Sequence, residues 1–163
     1  MADESYYKDT PVGIFQDSAN NLINHPPKVE IEIHTSHKYL AGTVDLIYAT
    51  FKGDFSVSGP HLLGSFETGS IVTLTAQLDR FIGNLEQVIF STDGTDAWLH
   101  SFILCRMTGV EYVLESKKQW LAAFNRLSNK QYKDGYVAED DAYPVSESLM
   151  LPVKESLAII SVS

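Results

Sequence analysis

The chain has 163 residues, 44% of them hydrophobic, enough to bury the core of one domain with appended segments. Its formal net charge of −9, from 12 basic against 21 acidic residues, opposes any extended attraction to nucleic acid or to an anionic lipid surface. No apolar run approaches the roughly 20 residues of a membrane-spanning helix, and Cys105, the only cysteine, leaves no intrachain disulfide and no cysteine-rich zinc module.

The first residues, MADESYYKDT, lack the basic start and apolar stretch of a signal peptide, and Ala2 in place of glycine removes N-myristoylation. With no Asn-x-Ser/Thr site anywhere, the expectation is a cytoplasmic protein, at most peripheral to a membrane. Residues 1–27 show no clear period and end at Pro26 and Pro27, which exclude regular helix; they read as an N-terminal arm. Lys28 to Thr35 then alternates, with Val29, Ile31 and Ile33 on one face and Glu30, Glu32 and His34 on the other, as a half-buried strand does. Thr43 to Phe51 is rich in β-branched and aromatic residues and closes at Gly53, while Gly59 and Pro60 mark a loop. Ile71 to Leu78 and Leu85 to Ser91 alternate again around a turn at Gly83. Trp98 to Met107 reads as a strand, and Thr108-Gly109 as the hairpin turn into Val110 to Leu114.

Trp120, Phe124 and Leu127 then fall at i, i+4 and i+7, which predicts a short amphipathic helix over Lys117 to Leu127. Beyond it Pro144 and Pro152 interrupt a tail in which Asp134, Glu139, Asp140, Asp141, Glu147 and Glu155 face only Lys133 and Lys154. Leu149 to Val153 and Leu157 to Val162 keep enough apolar character to add edge strands or to pack on the core. The division expected is an arm at 1–27, a sandwich at 28–121 and a C-terminal extension at 122–163.

An ordered set of motifs gives the architecture a family. Thr35, Ala41-Gly42-Thr43, Gly53, Phe66-Glu67-Thr68-Gly69-Ser70, Ile82-Gly83, Asp93 to Ala97-Trp98 and Tyr112 to Trp120-Leu121 follow one another at sensible spacing. Over Val29 to Leu121 this resembles a PLAT domain, the lipoxygenase homology module of lipoxygenases, pancreatic-type lipases and several membrane-associated proteins. The resemblance implies an all-β fold, an eight-stranded antiparallel β-sandwich. The residues agree: Ile47, Ala49 and Phe51 share one strand face, and Trp98 is large enough to anchor the space between sheets.

Some PLAT relatives bind calcium between the turn before AGT and the loop before Ala-Trp, through carbonyl and carboxylate oxygens. By that resemblance Asp45, Asp93 and Asp96 are the calcium candidates. The family's usual aspartate directly after AGT is Val44 here, and Asp45 takes the next position, with the inward parity of Ile47, at a frayed strand end or a bulge. His34, His37, His61 and His100 read as surface or interface histidines rather than a zinc site. No Gly-x-Ser-x-Gly elbow, Gly-x-Gly-x-x-Gly or P-loop lysine motif is present, so no catalytic or cofactor-binding residue is assigned.

The function expected is a non-catalytic binding module. Leu46 and Tyr48, pointing outward from a strand, and the loop aromatics Tyr39, Phe55 and Phe81 are the contact candidates. The leading partner is a protein, engaged by rim loops and sheet faces with help from the arm and the acidic extension. The alternatives are a neutral or calcium-bridged lipid surface, and service as an ancillary domain of a lipase or lipoxygenase.

Overall fold

In the computed structural model, which describes residues 26–123 and 143–159, the described chain is all-β. The strands are β1 (Lys28–Thr35), β2 (Thr43–Gly53), β3 (Val57–Phe66), β4 (Ile71–Gln77), β5 (Leu85–Thr92), β6 (Trp98–Met107), β7 (Val110–Leu114), β8 (Trp120–Leu121), β9 (Val145–Ser146) and β10 (Ser148–Ala158). Eight of them follow one hydrogen-bonded path, β3-β2-β5-β10-β7-β6-β1-β4, and every pairing along it is antiparallel. The path folds on itself at β10. Ser148 to Pro152 pair with β5 in one sheet, and Val153 to Ala158 pair with β7 in the other, so one strand serves both layers of a sandwich that is nearly a barrel.

Between the layers lies a core whose members are the alternate residues of each strand: Val29, Ile31 and Ile33; Ile47, Ala49 and Phe51; Val88 and Phe90; Ile103, Cys105 and Met107; Leu149 and Leu151. Trp98 is fully buried among Phe66 and Phe90, and its indole N–H donates to the Thr35 hydroxyl at 2.9 Å, so the one polar atom of the ring is satisfied. Thr108 and Gly109, with φ of 47° and 79°, make the tight turn between β6 and β7; positive φ at both central residues matches the twist of the flanking strands.

Two sequence expectations are corrected. The helix over Lys117 to Leu127 is not formed in its described part, residues 117–123. There Trp120 and Leu121 pair antiparallel with Leu99 and Trp98, and parallel with Val145 and Ser146. Trp120 enters a small cluster with Ala41, Ala97 and Leu99, while Leu121 enters the main core. Neighbouring side chains buried on opposite sides are the mark of a strand, and the helical spacing of Trp120 was coincidental. Phe124 and Leu127 lie outside the described residues. The loop placed at Gly59 and Pro60 lies within β3, an edge strand that among the described strands is bonded only to β2, where a missing N–H is tolerated. Residues 1–25 of the expected arm and most of the expected acidic stretch also lie outside the described residues.

Candidate functional site

β2 carries candidate residues at both of its ends, about 33 Å apart for eleven extended residues. At its start, the AGT turn meets the loop before Ala97-Trp98. Asp45 Oδ2 accepts the Asp96 N–H at 2.8 Å, and Asp96 Oδ2 accepts the Val44 N–H at 2.8 Å. The Thr43 hydroxyl donates to the Asp96 carbonyl at 2.6 Å and accepts the Asp45 N–H at 3.0 Å. Each aspartate therefore caps a backbone N–H of the facing loop, and a Cβ on Gly94 would run into the Asp45 carboxylate. Asp45 keeps the inward parity read from the sequence but spends its charge on this clasp, and Asp93 is exposed beside it. Among the described residues no group of three or more acidic, His or Cys side chains is placed to hold a metal.

At the far end of β2, the β2–β3 and β4–β5 loops are locked to each other. Asp54 accepts the Asn84 N–H at 3.0 Å and the Asn84 amide at 3.2 Å; in the other direction the Asp54 N–H donates to Asn84 O at 2.9 Å and the Phe55 N–H to Ile82 O at 2.9 Å. Gly83 has φ of 81°, and a Cβ there would strike both the Asp54 carboxylate and Phe55. This lock brings Phe55 and Phe81 together, ring centroids 5.5 Å apart, with Phe55 68% exposed. A depression of about 330 Å³ lined by Asp54, Phe55, Phe81, Gly83, Asn84 and Thr108 lies beside the rings. Tyr39, also exposed, belongs to the opposite, AGT end.

The outer sheet faces differ in chemistry. On one, Arg106 donates to Glu30 at 3.1 Å, Glu32 at 3.3 Å and Glu111 at 3.1 Å. The hydrogen bond from His34, and then Arg106, hold the Glu32 carboxyl below the usual carboxylate range. The other carries an apolar patch among polar residues such as Thr50, Lys52 and Gln87. Tyr48 faces Leu62 across β2 and β3, Ile89 faces Met150 across β5 and β10, and Leu46 continues the patch along β2. Leu46, Leu62 and Met150 are exposed. Leu62, Ile89 and Met150 were not among the sequence candidates although they share this patch. The alternating HLLGS after Pro60 and SLML before Pro152 carried the signal, and the prolines masked it.

The histidines stay apart: His34 bonds Glu32, His61 bonds Ser58 at 2.8 Å, and His100 is buried beside Trp98. His100 Nε2 accepts the Lys117 N–H at 3.2 Å, which puts the proton on Nδ1, where it finds no partner among the described residues; burial pushes its pKa down to about 4. Burial raises the Cys105 thiol far above its ordinary pKa, in keeping with an inert core residue. No helix among the described residues is long and apolar enough to cross a membrane.

A scan against protein-family models gives no match, and a search of curated proteins gives none either. Solved structures do match. A LOX variant in complex with arachidonate superposes with a TM-score of 0.59 at 18% identity over 79% of this chain. Coral 8R-lipoxygenase, described as calcium-activated via a C2-like domain, gives 0.57 at 17% identity over 77%. A calcium-dependent 11R-lipoxygenase gives 0.52 at 13% identity over 78%. In each case this chain covers 17% of the neighbour, so the likeness is to one small part of a larger enzyme. At such identities it shows the fold alone: an all-β sandwich like the matching part of these lipoxygenases.

Proposed function

We propose that the chain is a non-catalytic docking module whose Phe55–Phe81 tip enters the interfacial region of a lipid surface. The observation that carries this is the placement of two aromatic rings side by side on loops that hydrogen-bond each other, so that insertion costs little loop ordering. Burying each ring contributes about 1.5–3 kcal/mol. The net charge of −9 selects against anionic lipid, so the surface is a neutral one or one bridged by calcium. The lipoxygenase neighbours, two of them described as calcium-regulated, support an ancillary role of this sort.

Co-sedimentation of the full chain with phosphatidylcholine vesicles, with and without calcium, tests the reading. Wild type should pellet with the vesicles, and the double variant Phe55→Ala, Phe81→Ala should bind at least about tenfold more weakly. If wild type stays in the supernatant in both conditions, the lipid reading is wrong.

The contrast between a charged outer face and one with an apolar patch favours a second reading, a protein partner on the Leu46, Tyr48, Leu62, Ile89 and Met150 patch. Affinity capture from the native source should then recover a partner that the double variant Leu62→Asp, Met150→Asp loses. Identical recovery by both proteins would reject it.

A further inference from the structure

Among the described residues, the two strands that end the hydrogen-bonded path, β3 and β4, are treated differently by the sequence. β3 is guarded: Gly59 and Pro60 sit in it, and its register with β2 slips at several points, which twists an edge away from new partners. β4, with the sequence IVTLTAQ, has no proline, no charge and no bulge, and among the described strands is bonded only to β1.

The hydrogen-bond phase of β4 follows from its two ends. Thr35 N–H donates to Ser70 O at 2.9 Å, and Leu78 N–H donates to Pro27 O at 3.1 Å. In an antiparallel pair, residues alternate between facing the partner and facing away. The even-numbered residues therefore bond β1, and Ile71, Thr73, Thr75 and Gln77 turn their N–H and C=O groups to the open edge. No described residue bonds those groups. The same residues have exposed side chains, with Ile71 at 65%.

We propose that β4 is a self-association edge, pairing antiparallel with β4 of a second copy. A two-fold axis at Leu74 sets Thr73 opposite Thr75 of the second copy and Ile71 opposite Gln77, so both molecules present the same complementary row. The pairing supplies about eight backbone hydrogen bonds. A chain of net charge −9 repels its own copy, and β4 itself adds no charged residue to the pairing row. The antiparallel arrangement sends the two Phe55–Phe81 tips in opposite directions. The proposal does not depend on lipid.

Sedimentation equilibrium of the full chain without lipid tests it. The mass should rise with concentration from 18.1 kDa toward twice that value. Thr73→Pro deletes an N–H that faces only the open edge, so it should abolish the dimer while leaving the melting temperature close to wild type. Thr75→Lys introduces charge into the pairing row and should weaken association about tenfold or more. Leu62→Asp, on the opposite sheet, should leave the mass unchanged. A wild-type chain that is monomeric at every concentration overturns the proposal. So does a dimer that survives both edge variants, or one that Leu62→Asp dissolves. Should Thr73→Pro fail to fold, Thr75→Lys decides.

Discussion

His100 shows how one side chain ties burial to pH. Its ring is almost wholly buried and its pKa is lowered to about 4 by that burial, whereas the ordinary value is 6.5. Between those two values the unfolded chain holds the proton and the folded chain does not. Stability is therefore full above about pH 6.5 and falls as pH drops toward 4. Going from pH 7 to pH 5 should cost about 2 kcal/mol, read as a lower urea midpoint, and His100→Gln should flatten the slope. Glu32 and Asp79, whose pKa values are lowered, lose their contributions only at and below the ordinary carboxylate range, so they act at lower pH. An unchanged slope in His100→Gln would place the titration elsewhere. The clasp between Asp45 and Asp96 makes a second prediction. Asp45→Ala strands the Asp96 N–H and should cost about 1–3 kcal/mol, whereas exposed Asp93→Asn should change stability by less than about 0.5 kcal/mol. Because both carboxylates already cap backbone, chelation of calcium should leave the melting temperature of wild type unmoved. A clear fall on chelation would make Asp45, Asp93 and Asp96 the first residues to test as metal ligands.

At the scale of elements, legibility followed local pattern. β1, β2, β4, β5 and β7 announce themselves because one face is more buried than the other, which favours period-two alternation, whereas β6, buried on both faces over most of its length, shows as an apolar run. β3 hid its alternation behind Gly59, Pro60 and Gly64, residues an edge strand tolerates and a central one does not. β8 was misread because Trp120, Phe124 and Leu127 share a helical face in projection, and only the long-range pairing with Trp98 and Leu99 could decide against it. The loop aromatics were legible as residue types, but not their meeting: the bonds joining Asp54 to Asn84 and Phe55 to Ile82 cross some thirty positions of sequence. That lock predicts an effect without touching an aromatic ring. Gly83→Ala must strain a φ of 81° and displace Asp54 or Phe55. We expect it to lower stability by about 1–3 kcal/mol and to weaken vesicle binding while both phenylalanines remain. Binding equal to wild type would mean that the rings act without the preorganisation the loops provide.

For the whole molecule, the strand that matters most comes last. A sequence reading that sets 28–121 apart as the sandwich treats residues beyond 121 as additions, because Pro144 and Pro152 interrupt them. Yet β10 stands between β5 and β7, in the middle of the hydrogen-bonded path, and among the described strands it alone pairs with both sheets. Pro152 fits there because it sits where pairing passes from β5 to β7, at the change of sheet. Leu149 and Leu151 are fully buried in the common core. Removing β10 would expose Val88, Phe90 and Leu114 and leave both β5 and β7 with an open edge, a loss beyond the roughly 5–15 kcal/mol that holds a domain folded. A chain ending at residue 146 should therefore lack the cooperative thermal transition and slow amide exchange of the full protein. Leu151→Ala, which keeps the strand and opens a cavity, should fold but lose about 2–5 kcal/mol. A chain ending at residue 146 that melts cooperatively near the full-length temperature would show that the sandwich closes without β10, and the covering strand would then be an addition after all.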